Sequence, residues 1–175
     1  RNVDVQALTN SLASTDEPAA QAGYVHYRKE LLAGGVKLFE LRPAVGSKQD
    51  ATAFGTSSGV ALHAKAIVVD KRYVFVGSMN LDQRSKLLNT EMGVMVDCPA
   101  LAEAVAGFFA KATAPASAFQ VVLAPAKDQG ADAKHLVWLA QDRDQPVRLD
   151  SEPYASSGRK LEITLFQLLP IESLL

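Results

Sequence analysis

Short stretches of period-two alternation and longer stretches of helical spacing divide the chain into elements. Residues 3–8 alternate Val and Leu with polar or small residues and predict a strand. A helix is expected over 18–33, with acidic residues and Pro18 near its start and Gly34-Gly35 as its stop. "VKLFEL" (36–41) is a second strand. Strand, helix and strand on short links predict a right-handed βαβ unit, hence a parallel pair in an α/β sheet.

Residues 42–59, rich in Gly, Ser, Thr and Ala, predict a loop. Strands at 60–69 and 73–76 follow, joined through "DKR" as a hairpin. "LDQRSKLLN" predicts a short helix and "TEMGVMVD" a strand. "CPALAEAVAGFFAKA" is a helix with Pro99 in its first turn and Leu101, Val105, Phe108 and Phe109 on one stripe. Strands "AFQVVLA" and "KHLVWLA", an "RLDSEP" turn and the apolar tail "LEITLFQLLPIESLL" complete the chain. No internal repeat is visible. The expected fold is α/β, a mixed sheet flanked by helices on both faces. It forms one domain over 1–175, with a core at 1–115 and C-terminal strands and tail at 116–175.

Composition narrows the class of protein. The 175 residues can bury a real core, and 48% hydrophobic against 21% charged residues is a globular rather than a disordered balance. Eighteen Lys and Arg against nineteen Asp and Glu give a net charge of −1, which argues against a nucleic-acid partner held by charge. The single cysteine, Cys98, excludes an internal disulfide. No apolar run is long enough to span a bilayer. The chain opens on "RNVDVQALTNS" and enters a strand at once, so a piece of a longer protein is expected.

Within "LHAKAIVVDKRYVFVGSMN" one pattern departs from a core strand. His63 and Lys65 are two residues apart, so on a strand they project from the same face about 6.6 Å apart, close enough to share a phosphate. Gly77 lets neighbouring backbone approach, and Ser78 and Asn80 add short polar donors. A cation, an imidazole and positioned donors suit the charge that develops on a phosphoryl group.

His63-x-Lys65-x4-Asp70-x6-Gly77-Ser78-x-Asn80 resembles the HKD motif of the phospholipase D superfamily at every motif position. With "LTNSLASTDEPAAQAGYVHYRKELLAGGVKLFEL" before it, "NLDQRSKLLNTEMGV" after it and "LLPIESLL" at the end, the chain resembles the C-terminal half of bacterial cardiolipin-synthase-like proteins of that superfamily. The resemblance implies two such motifs facing across a cleft, one in each of two similar halves. One histidine attacks phosphorus to give a phosphohistidine, the other protonates the leaving group, and no cofactor or metal takes part. It implies His63 as nucleophile or general acid, with the acid role preferred. Lys65 and Asn80 bind phosphoryl oxygens, Ser78 assists, and Asp70 is more structural than catalytic. The expected activity is phosphatidyl transfer as in cardiolipin synthesis, the alternatives being a phosphodiesterase or nuclease and a non-catalytic half that completes a partner. The partner is an N-terminal half with a second motif or a second copy of this chain, the substrate is a phospholipid, and membrane association is peripheral, through segments outside this chain.

An imidazole, with an ordinary pKa near 6.5, serves both proton transfer and nucleophilic attack near neutrality. It does so better when a carboxylate fixes its tautomer, and Glu91 is the candidate for His63. Asn10 and Ser11, at the carboxyl end of the first strand, are candidates to line the site, against a cap or turn role. His26 is expected on a helix surface, His135 lacks metal-spaced partners, and Trp138 is expected in the core. Asp82 and Arg84 are expected to anchor the turn after the motif. Cys98 is expected to be a small buried residue, and the tail is expected to pack on the sheet.

Overall fold

The computed structural model describes residues 3–15, 18–43, 62–81, 85, 87–125 and 134–168. The expected loop beyond Pro43, residues 82–84 and 86 of the expected helix at 81–89 (with the Asp82 and Arg84 anchors) and the end of the tail lie outside these residues.

The βαβ expectation holds. Strand β1 (Gln6–Asn10) and strand β2 (Lys37–Leu41) pair in parallel, with Leu8 beside Phe39, and helix α1 (Pro18–Ala33) connects them. β1 begins later than Val3: its register with β2 starts at Gln6, with the Val5 carbonyl accepting from Lys37 N at 2.9 Å, and the Val3 and Val5 side chains remain exposed. Next to β2 run three antiparallel strands, β6 (Ala118–Pro125), β7 (Lys134–Asp142) and β8 (Gln145–Leu149), giving the order β1-β2-β6-β7-β8. The C-terminal strands therefore extend the same sheet.

Strand β8 was not expected, because "RLDSEP" resembles a turn. Its turn instead lies earlier, at Arg143 and Asp144, both with positive φ as a two-residue hairpin requires. Pro146 is tolerated because β8 is an edge strand.

Alternation in β2 decides how the sheet is covered. Leu38 and Glu40 face one way with Phe119, Val121, Trp138 and Ala140, and Tyr24 and Leu32 of α1 close over that core. Each large apolar side chain so buried contributes about 1.5–3 kcal/mol. The apolar tail begins as helix α3 (Ser157–Leu168), whose Ile163 packs with Leu12 and Ala22 against the α1 side. Phe39 faces the other way and meets Phe109 edge to face at 6.2 Å, so helix α2 (Pro99–Ala112) covers the opposite face. Helices thus lie on both faces, as expected. The deep contact of α2 is Ala102, fully buried, whereas Leu101 and Phe108 of the expected stripe are exposed.

The remaining strands form a second sheet, in place of the single one expected. Strands β3 (Ala66–Val69), β4 (Tyr73–Gly77) and β5 (Gly93–Asp97) pair antiparallel in that order, and α2 contacts β3 and β4. Strand β3 was expected from residue 60, yet residues 62–65 lie outside any strand.

A buried ionic cluster ties the covered face together. Glu40 and Arg28 are both fully buried, with Arg28 Nε 3.2 Å from Glu40 Oε1 and Arg28 Nη1 2.6 Å from Glu152 Oε1. Trp138 Nε1 donates to Glu40 Oε2 at 2.8 Å and Tyr24 donates to Oε1 at 3.0 Å. Arg28 also lies over the Tyr24 and Trp138 rings. Burial draws the Arg28 guanidinium down, but Glu40 and Glu152 outweigh it and hold the cation firmly charged. Trp138 is thus a core residue with a polar handle.

Candidate active site

The motif occupies one end of the three-stranded sheet. Lys65 Nζ lies 3.1 Å from His63 Nε2 and donates to the His63 carbonyl at the same distance. An ammonium can only donate, so His63 Nε2 accepts and the ring proton belongs on Nδ1. The two side chains meet although the stretch that carries them is not a strand. Strand pairing nevertheless reaches toward them, since the Gly77 amide donates to the Lys65 carbonyl at 3.1 Å.

Gly77 is glycine for a steric reason. A Cβ there would stand 2.6 Å from the Met92 carbonyl oxygen and 2.9 Å from the Gly93 Cα, distances that a real methyl group does not tolerate. The close approach sets Ser78 beside Met92. Ser78 N donates to the Met92 carbonyl at 2.9 Å, and Met92 N donates to Ser78 Oγ at 3.1 Å. Ser78 Oγ in turn donates to Glu91 Oε2 at 2.5 Å.

Glu91 is held by further donors. Asn89 Nδ2 donates to its Oε1 at 3.2 Å. The Ser78 hydroxyl first, then the Ser85 and Asn89 side chains and the Lys65 charge, hold its carboxyl below the usual range, so it is ionised at neutral pH. Asn80 follows two residues after Ser78, and its backbone amide donates to the hydroxyl of buried Ser85 at 3.3 Å. Ser85 was not singled out from the sequence, because one serine in a polar segment carries no period or spacing signal.

The structure brings His63, Lys65, Ser78 and Glu91 to one end of the sheet, with Asn80 beside them. Glu91 accepts from Ser78 and Asn89 there. Asp70 lies elsewhere. It occupies the β3–β4 turn with Lys71, at φ of 52° and 53°, and Arg72 N closes that turn on the Val69 carbonyl at 3.1 Å. Five residues of extended chain, about 16 Å, separate it from Lys65. Asp suits that place, since it tolerates the left-handed conformation.

Asn10 and Ser11 stand at the carboxyl end of β1. The Asn10 side chain is committed to Leu62, at 2.7 and 3.0 Å, and Ser11 is fully buried with its hydroxyl on Ser14 at 3.0 Å. His135 pairs with Asp150 at 3.1 Å on the β7–β8 hairpin, away from the motif. Cys98 is half-buried and caps α2 with extended backbone, followed by Pro99.

Residues 1–113 match the family model described as "Cardiolipin synthase, PLD-like domain". The whole chain is 36% identical to cardiolipin synthase C of Escherichia coli strain K12 over 179 residues, which is 36% of that protein. An uncharacterised protein of Helicobacter pylori is 35% identical over 105 residues, 60% of this chain and 20% of that protein. Cardiolipin synthase A of Erwinia tasmaniensis is 37% identical over 68 residues, 39% of this chain and 11% of that protein. The chain thus spans little more than a third of the length of its Escherichia coli relative. No solved structure matches it.

Proposed function

The chain belongs to the phospholipase D-like domain family of the cardiolipin synthases, and from that premise we propose that it supplies one half of a phosphatidyl-transfer site. The observation that carries the reading is the contact of Lys65 with His63 Nε2, beside the Ser78–Glu91 pair. An anionic phosphoryl group entering there draws Lys65 onto its non-bridging oxygens, where Asn80 joins it with Ser78 assisting. That releases His63 Nε2 for proton transfer, and Glu91 is then the carboxylate available to orient the ring. Nε2, once free of Lys65, takes up a proton from solvent. A histidine of a second motif then attacks phosphorus and displaces the leaving alcohol, whose oxygen takes that Nε2 proton and leaves His63 neutral. The acceptor alcohol then gives its proton to His63 as its oxygen attacks the phosphohistidine. Asn10 and Ser11 remain at the cleft margin. Cardiolipin-type synthesis is the favoured reaction, because the relative matched along the whole of this chain is a cardiolipin synthase, of which the chain spans 36%. The test is to incubate the full-length protein with labelled phosphatidylglycerol, quench in alkali and look for label on histidine. Turnover with no phosphohistidine would overturn the mechanism.

The donors gathered here are an imidazole, an ammonium, a hydroxyl and an amide with one carboxylate, poor company for Mg²⁺ or Ca²⁺. Turnover in excess chelator is therefore expected to match turnover without it, once divalent effects on the lipid surface are controlled. Loss of activity restored by one specific metal would count against the mechanism.

One histidine cannot be both nucleophile and in-line acid, so a second half must face this one. A covering surface is available. Ile67, Phe75 and Met95 are register partners on one face of the three-stranded sheet, the face of Lys65, and Ile67, Val69 and Met95 are each 40–58% exposed. Such a patch favours burial against another half or a second copy. The isolated chain is expected to turn over phosphodiesters only at concentrations where light scattering shows a dimer. Substantial turnover by a strict monomer would refute the half-site.

A further inference from the structure

We infer that Asn10 is a positioning residue for His63 and acts through the backbone of Leu62. The inference rests on the reading of His63 as catalytic. His63 lies in residues 62–65, outside the strands, so β3 itself does not fix its backbone. The Asn10 carboxamide does so from the neighbouring sheet. Its Oδ1 accepts from Leu62 N at 2.7 Å and its Nδ2 donates to the Leu62 carbonyl at 3.0 Å.

A primary carboxamide offers the donor and the acceptor of a peptide group. Asn10 therefore stands in for a missing strand and satisfies both backbone groups of the residue before His63. Asn10 is itself well anchored. It ends β1 opposite Leu41, and its carbonyl accepts from Nε2 of Gln21 on α1 at 3.3 Å, a side chain only 4% exposed. From the other side, the Gly77 amide holds the Lys65 carbonyl, and Lys65 holds the His63 ring. The imidazole is thus bracketed, with Leu62 fixed before it and Lys65 after it. The bracket also joins the edge strand of one sheet to the edge of the other, so it fixes where the motif stands relative to α1 and β1. Aspartate at position 10 would keep the acceptor, lose the donor and set a charge against the Leu62 carbonyl. Alanine would lose both bonds.

The chain has three histidines, and His26 and His135 serve as internal controls for His63. In ¹⁵N-histidine NMR of the 175-residue chain, Asn10→Ala is expected to shift and broaden the His63 ring signals while His26 and His135 stay in place. In the full-length protein the same substitution should lower kcat by about ten- to a hundredfold with KM nearly unchanged, since a misplacement of about 1 Å costs that much. Asn10→Asp should fall between Asn10→Ala and the parent. Unmoved His63 signals with unchanged kcat overturn the inference. If Asn10→Ala moves all three histidines, its fold is lost and Asn10→Asp decides by the same criteria. A fully active His63→Asn protein would defeat the catalytic reading alone, because the NMR arm reads Asn10 without turnover.

Discussion

His63→Asn in the full-length protein is expected to lower phosphatidyl transfer by several orders of magnitude while the fold is kept. The ring nitrogen that Lys65 addresses is lost, and the asparagine carboxamide put in its place is neither a proton donor of comparable acidity nor a base. Groups that act as one unit are strongly non-additive, so removing one histidine should cost nearly as much as removing both. The leaving group separates the two roles. With a p-nitrophenyl phosphodiester, whose leaving group needs no proton, the His63→Asn protein should still form the phosphohistidine in one burst and then stall. No burst would make His63 the nucleophile. Near-normal steady turnover on a phospholipid would sink the catalytic assignment altogether.

Arg28→Met should be the most damaging substitution for stability. Arg28 and Glu40 are fully buried, and Glu152 sits 2.6 Å from the same guanidinium. Without the cation, the fully buried Glu40 carboxylate keeps Tyr24 and Trp138 as donors but loses its counter-charge, and the partly buried Glu152 loses its own. Breaking a buried pair in this way costs about 3–5 kcal/mol, a large share of the roughly 5–15 kcal/mol that holds a domain folded. Urea titration of the 175-residue chain should show a much lower midpoint at an unchanged slope. Arg72→Ala is the control, since its pair with Asp97 is exposed and its loss should barely move the midpoint. Equal midpoints for the parent and Arg28→Met would refute the role of the cluster.

That cluster also shows what local reading misses. Glu40 shares a strand face with Leu38, and an acid at an inward position is a signal that it will find buried partners. The partners themselves come from residues 24, 28 and 138, and no local pattern links them. Strand β8 was hidden for the opposite reason, because its Pro146 and polar neighbours suit only an edge, and edges are assigned by topology.

The sequence by itself determined the βαβ start, the helix behind Pro99, the β3–β4 hairpin and the motif, because these depend on periods of two and 3.6 and on fixed short spacings. It also determined that His63 and Lys65 belong together, since two residues of chain cannot separate them far. Only the tertiary structure decided that Asp70 stands at the far turn, that Glu91 serves Ser78 and Asn89, and that Asn10 holds Leu62 from 52 residues away. The physical reason is the range of the interactions. Backbone propensity and alternation act within a few residues, whereas hydrogen-bond partners of committed polar groups are chosen by whichever donor or acceptor the packed sheets bring within about 3 Å.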